Sequence, residues 1–373
     1  MKKVFVDIYL NFNLGDDLFL DILLSKYPNT QFTINYLGND YNDFISGYTN
    51  VQKRKYTLIN KIGQRLKISD SITNYDRVAE EHDTLIFIGG SIFREEDYHK
   101  DLYRDRVNLV TEFRKRTKPV YVLGANFGPF HSERFLEDYR HFFLMCEDVC
   151  FRDLYSYQLF KELDQVRYAQ DIVFGLNVDE FKTIKPVLNR VGLSIIDVTH
   201  KQGLSHYQEE YFSTTIAAIE ALVERGYECY LMSFCEGEGD LNIIRKMVGQ
   251  LKNTVSNKVH VFNYTGNLKE AISLIASFNL LIAARFHANI LALLLEVGLL
   301  PIIYSPKTEN MLSDLQLDKL LIRMDQLSLQ VEASTLIKAI NNKVSSNTFL
   351  DKTDQFEKLN EFLFKDQKLL KRV

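Results

Sequence analysis

The chain has 373 residues, 46% hydrophobic and 25% charged, with a formal net charge of −4. This length exceeds one ordinary core and predicts two domains, 1–180 and 181–373. The charge gives no electrostatic reason to expect nucleic-acid binding, so any cationic site has to be local. Four cysteines, Cys146, Cys150, Cys229 and Cys235, form no CxxC pair and lie in or beside apolar segments. They read as core thiols of a reduced compartment, not as a disulfide framework or a zinc site.

The opening MKKVFVDIYLNFNLGDD is too soon acidic for a signal peptide, and a cytoplasmic location is expected. A strand over 4–10 leads into Asn11-Phe12-Asn13-Leu14-Gly15-Asp16-Asp17, and a helix follows. Asp16 or Asp17 is a natural N-cap. The functional alternative is that Gly15 lets the backbone approach a ligand while one aspartate binds sugar hydroxyls or takes a proton. Further on, Lys53, Arg54, Lys55, Lys61, Arg65 and Lys67 interleave with Leu58, Ile59, Ile62 and Leu66. A solvated helix face is the plain reading, and peripheral contact with an anionic membrane is the alternative.

Strands are expected at 32–37, 84–88, 120–123 and 149–151, separated by helical patterns. That is the rhythm of a doubly wound α/β domain. The strand at 84–88 ends in Gly89-Gly90-Ser91, and the next ends in Gly124-Ala125-Asn126-Phe127-Gly128-Pro129. Glycines at such turns expose backbone N–H groups as an anion nest, although tight turns without a ligand look the same. Neither loop fits GxGxxG, and no GxxxxGK[ST] occurs. Arg152-Asp153 closes the strand at 149–151, with Ser156 on the following helix.

The pattern restarts after a polar segment, 177–189, with strands at 191–196, 228–234, 259–262, 280–283 and 300–304. A helix over 211–225 carries Phe212, Ile216, Ile219 and Val223 at helical spacing before Gly226 stops it. The acidic glycine loop Cys235-Glu236-Gly237-Glu238-Gly239-Asp240 follows one strand, with Asp240 as the expected cap and contact of Glu236 or Glu238 with an acceptor as the less favoured alternative. After Asn347 an amphipathic helix carries Phe356, Leu359, Phe362 and Leu363; it can dock on the second domain or cross back to the first.

Residues 279–307, NLLIAARFHANILALLLEVGLLPIIYSPK, are the most informative. They are interrupted by Asn289, Glu296, Gly298 and Pro301, so they do not span a bilayer. Two buried strands joined by one helix are expected to be neighbours, which brings Arg285, His287 and Lys307 to one carboxyl edge, where ligands of parallel sheets sit. Arg285 and His287 precede a helix expected to start near Ala288, whose positive end disfavours cations unless an anion joins them. An ion-paired Arg285, a helix-entry His287 and a solvated Lys307 are the bland alternatives. Three such groups at one edge favour an anion site.

With these residues assembled, the chain resembles the polysaccharide pyruvyl transferase family. The resemblance rests on NLGDD at 13–17, IGGS at 88–91, GANFGPF at 124–130, FRDLYS at 151–156, Asp171, and ARFHANILALLLEVGLLPIIYSPK at 284–307. Ser91 stands where a third glycine is common, and Ala125-Asn126 also departs from the pattern. The resemblance implies two Rossmann-like parallel-sheet domains in a GT-B-like arrangement, with the active site in the interdomain cleft. It implies transfer of an enolpyruvyl-derived group from phosphoenolpyruvate to two hydroxyls of a sugar, with release of phosphate, and a sugar acceptor that is lipid-linked or free.

By that resemblance Arg152, Arg285, His287 and Lys307 correspond to donor-site and catalytic positions. A donor bearing a carboxylate and a phosphate needs localised cations, and an arginine fork suits both. His287 is the expected general acid, with Asp16 or Asp17 orienting or deprotonating the acceptor. Gly15, Gly89, Gly90 and Asn126 complete the expected binding residues. No metal-ligand spacing occurs, so no obligatory metal or cofactor is expected. The main alternative is a GT-B glycosyltransferase using a nucleotide sugar. A pair of glutamates eight residues apart is missing for that reading, since Glu309 would need a partner at Leu317.

Overall fold

Runs of four to six mostly apolar residues, buried on both faces, form the central strands, as a parallel sheet requires. The computed structural model describes residues 1–55, 74–201, 203–317, 321–327, 333–340, 343–345 and 354–365. The chain divides into two units, one made of Met1–Leu10, Phe19–Ile172 and Lys352–Val373, the other of Asn11–Leu18 and Val173–Asp351. Of the basic segment, Lys53, Arg54 and Lys55 are described; Leu58, Ile59, Lys61, Ile62, Arg65, Leu66 and Lys67 lie outside the described residues.

The first unit carries seven strands: β1 Lys3–Ile8, β2 Gln31–Ile34, β3 Val51–Lys53, β4 Thr84–Ile88, β5 Val120–Ala125, β6 Asp148–Phe151 and β7 Val166–Tyr168. Every pairing is parallel, in the order β3-β2-β1-β4-β5-β6-β7. This is the doubly wound, Rossmann-like order, whose switch point lies between β1 and β4. Its core is aromatic: Phe127 meets Phe160 edge to face at 4.8 Å, and Phe93 meets Phe143 at 5.2 Å. The terminal helix Glu357–Leu363 is counted in this unit. Just before it, Gln355 accepts from the Gly124 N–H (2.8 Å) and donates to the carbonyls of Phe151 (3.2 Å) and Ala169 (2.7 Å).

The second unit repeats the plan with β8 Arg190–Ile195, β9 Glu228–Ser233, β10 Val259–Asn263, β11 Leu280–Ala283, β12 Gly298–Ile303 and β13 Ile322–Arg323. The order is β10-β9-β8-β11-β12-β13, again all parallel, so the switch point falls between β8 and β11. The strands joined through residues 284–297 are neighbours, as expected. The core is aliphatic, built on Leu193, Ile195, Leu231, Ile244, Ile282 and Leu300. In the helix Gln208–Glu224 the fully buried stripe is Tyr211, Thr215, Ala218, Ile219 and Leu222. Phe212, Ile216 and Val223 flank it half-buried, so the core-facing line runs about one residue ahead of the expected one. Gly226, at φ +86°, follows where the helix ends.

Candidate active site

In the second unit the switch point gathers residues from three loops. Arg285 is the N-cap position of the helix Phe286–Leu294, which starts two residues before the expected Ala288 and so takes His287 into its first turn. The buried Asn289 explains this early start: its amide donates to the carbonyls of Ala283 (3.3 Å) and Arg285 (2.9 Å), fastening the strand end to the first turn. The Arg285 N–H donates to Ser194 Oγ on β8 (3.1 Å), which holds the loop at the switch point.

The Arg285 side chain is buried in an ionic network. Its Nε donates to Asp240 Oδ2 (2.9 Å), its Nη2 to Asp240 Oδ1, and its Nη1 to Glu238 Oε2 (2.7 Å). Burial works against the guanidinium charge, but Asp240 and Glu238 outweigh it and hold Arg285 well above its ordinary value. Asp240 was the expected cap; it lies instead inside the helix Asp240–Gln250, behind Gly239, and accepts from the N–H groups of Phe234 (3.2 Å) and Cys235 (3.1 Å). Glu238 also pairs with Lys201 and accepts from Asn13 Nδ2 (3.4 Å). Burial would raise its carboxyl, yet the charges of Arg285 and Lys201 hold it well below the usual carboxylate range.

The segment Asn11–Leu18 belongs to this unit. The Leu14 N–H donates to the Phe234 carbonyl (3.1 Å), and the helix starts at Leu14, so the N-cap is Asn13, whose Oδ1 accepts from Gly15 N–H (3.1 Å). Asp16 and Asp17 therefore sit in the first turn, not at the cap. Asp17 is fully buried and accepts from the Tyr264 hydroxyl (2.7 Å), whereas Asp16 is half-buried.

Gly15 and His287 meet here. A Cβ built on Gly15 would fall 1.6 Å from His287 Nδ1, so the imidazole occupies the space that any other residue at 15 would fill. His287 is half-buried and perpendicular to Phe286, with ring centroids 5.1 Å apart. Lys307, in the first turn of the helix Pro306–Asp314, places Nζ 5.8 Å from the Phe286 ring centre. Arg285, His287 and Lys307 thus occupy one strand edge, with Gly15 and the two aspartates on the adjoining segment.

The remaining expected residues form a separate group in the first unit. Arg152, at the end of β6, pairs through Nη1 with Asp171 (2.9 Å) and donates through Nη2 to Asn126 Oδ1 (2.6 Å). Asp153 caps the helix Leu154–Phe160, and Ser156 Oγ accepts from the Phe127 N–H (2.7 Å), so FRDLYS divides between ion pair, cap and loop anchor. Gly90 lies under Arg152: a Cβ there would come 2.6 Å from Nη1. Its carbonyl accepts from the Asn126 N–H (2.8 Å), and Ser91 Oγ donates to Asn126 Oδ1 (3.2 Å). Gly89 adopts φ +153°, and a Cβ there would meet Ile92 at 2.7 Å.

A family model for polysaccharide pyruvyl transferases matches residues 13–306. The chain belongs to the polysaccharide pyruvyl transferase family. A match to the amylovoran biosynthesis protein AmsJ of Erwinia amylovora is 23% identical over 278 residues, 69% of this chain and 65% of AmsJ, so it spans just under two thirds of that relative. Among solved structures, Anabaena HepE in complex with UDP and glucose gives a TM-score of 0.56 at 12% identity, covering 98% of this chain and 100% of that one. The UDP-GlcNAc 2-epimerase of Neisseria meningitidis, bound to UDP-GlcNAc, gives 0.57 at 11%, with the same coverage. At such identities the likeness is one of fold, and this pyruvyl transferase family member is GT-B-like. Among its described residues no helix is long and apolar enough to cross a membrane.

Three participants escaped the sequence reading. Lys201 lies in the loop after β8, at the same carboxyl edge, and applying the strand-end rule there as at β11 would have found it. Tyr264 and Gln355 carry no local signal, since their partners are far away in sequence.

Proposed function

We propose that this chain is a pyruvyl transferase that moves the enolpyruvyl-derived group of phosphoenolpyruvate onto a sugar of a cell-surface or capsular polysaccharide precursor, closing a cyclic ketal. The reading rests on one observation above all: the two motifs typical of the family, NLGDD and RFH, meet where the His287 ring sits against Gly15. Family membership and the name of AmsJ point the same way.

In this mechanism His287, as imidazolium, gives its proton to C3 of phosphoenolpyruvate. C2 becomes electrophilic and bonds to the first sugar hydroxyl, whose proton passes to Asp16; the C2–O bond to phosphate then breaks, the second hydroxyl bonds to the same carbon, and its proton leaves with the phosphate. Lys307 and Arg285 stand beside His287 to hold the donor's anionic groups. Asp16, the half-buried aspartate, is assigned to the acceptor hydroxyl; Asp17, tied to Tyr264, is assigned to holding the loop. Arg152, with a side chain 2% exposed, is assigned to fixing the Gly90 and Asn126 turns. A lipid-linked acceptor, and with it work at the inner membrane face, belongs to the same proposal; liposome co-sedimentation tests that part.

Positioned proton transfer contributes roughly 10²–10⁴-fold. The test is phosphate release from phosphoenolpyruvate in the presence of candidate acceptors. His287→Ala is expected to lose turnover by about that factor while keeping phosphoenolpyruvate affinity by calorimetry. Near-normal turnover of the variant would refute the acid role.

A further inference from the structure

Arg285 and Lys201 converge on one carboxylate, that of Glu238. The two acids around Arg285 are not equivalent. Asp240 has a side chain 0% exposed, accepts two backbone N–H groups, and takes the side-on edge of the guanidinium through Nε and Nη2. It is a fixed partner. Glu238 is 28% exposed and stands on a short turn, Glu236–Glu238, that Gly239 closes at φ +88°. It engages Nη1, one of the two nitrogens that an incoming carboxylate or phosphate needs for an end-on grip.

We infer that Arg285 Nη1 and Lys201 Nζ form an anion-binding pair for which Glu238 is an internal competitor, yielding its place when an external carboxylate or phosphoryl group binds. Arg285 and Lys201 carry two positive charges, and Asp240 and Glu238 two negative ones. Displacing Glu238 alone leaves one net positive charge toward the anion. Protonation does not release Glu238 near neutral pH, because the same two cations keep it ionised. Release therefore follows exchange with an anion that offers more contacts, which selects against small monoanions. Glu238 also accepts from Asn13, the cap of the Gly15 helix, so its departure reaches the loop beneath His287.

That the anion is phosphoenolpyruvate rests on the function proposed above; the competition itself does not. Calorimetric titrations of phosphoenolpyruvate, and separately of inorganic phosphate, into the wild type, Glu238→Gln and Lys201→Met test it. A charge-assisted hydrogen bond is strong enough to change affinity about tenfold. Glu238→Gln is expected to bind about tenfold more tightly, and Lys201→Met about tenfold more weakly. Unchanged or weaker binding by Glu238→Gln makes Glu238 a fixed clamp and overturns the inference. Should that variant not fold, Glu238→Asp, with its carboxylate withdrawn by one methylene, carries the same expectation in the same direction. If phosphate tightens in Glu238→Gln while phosphoenolpyruvate binds none of the proteins, the donor assignment fails and the competition stands. If neither anion binds any of them, the inference falls.

Discussion

Each unit seats a basic side chain on a glycine: Arg152 over Gly90, in the turn after β4, in the first, and His287 over Gly15, in the first turn of a helix, in the second. The occupants differ in what they can reach. Arg152 and Asp171 are 2% and 1% exposed and closed in by Asn126, so their seat binds three segments of the first unit together. His287 is half-buried, at the same strand edge as the half-buried Lys307, so its seat leaves the ring partly open. The same device serves to anchor in one unit and to present in the other.

The comparison breaks most visibly if the buried arginines are removed. Taking one partner from a buried ion pair costs about 3–5 kcal/mol. Arg285→Ala is expected at the upper end, since it takes the guanidinium from the fully buried Asp240 and leaves Glu238 to Lys201, and Arg152→Ala at the lower end, since it removes a pair with Asp171 and a hydrogen bond to the neutral Asn126. Denaturant unfolding of both variants measures this. Equal losses, or the reverse order, would remove the distinction between the two arginine sites.

The seats themselves come next. Gly15→Ala is expected to lower turnover by about 10²-fold, because the new methyl forces the imidazole aside and a misplaced catalytic group loses about that much. Alanine favours a helix by about 1 kcal/mol over glycine, so unchanged turnover with raised stability would mean that the ring is not held where it works. Gly90→Ala should act on stability instead, by about 1–3 kcal/mol, as overpacking against the buried Arg152. A thermal midpoint matching wild type would make that seat slack.

How far these features could be read from sequence depends on whether their causes are local. The central strands β1, β4, β5, β8, β9, β11 and β12 were legible because buried parallel strands are continuous apolar runs. The short edge strands β3, β7 and β13 were missed: two or three residues, none of them a continuous buried run, carry no period. Helix starts slipped at Leu14 and Phe286, because Asn13 competes with two aspartates for the cap and Arg285 occupies a cap position with no capping side chain. The grouping of Arg285, His287 and Lys307 followed from adjacent strands. The network around Arg285 did not, since Glu238 comes from the turn after β9, Asp240 from the start of the next helix and Lys201 from the loop after β8, and nothing in a linear pattern says which of them touch.

The smallest effect separates two carboxylates held by different means. In the first unit Glu95 accepts from Ser132 Oγ (2.6 Å) and from the N–H groups of His131 (2.5 Å) and Ser132 (2.9 Å). Burial would raise its carboxyl, but these bonds bring it down to about 2. Glu238 is held lower still, by charge. Both folded values lie below the unfolded one of about 4.3, so each contributes stability that is complete above that pH and is lost as pH falls toward the folded value. Comparing acid unfolding of Glu95→Gln and Glu238→Gln with wild type should show the Glu95 share mostly gone by about pH 2, while the Glu238 share is still being lost there. Coincident acid limbs would mean that hydrogen bonds and paired cations hold the two carboxylates equally well, and the contrast between the units would reduce to exposure alone.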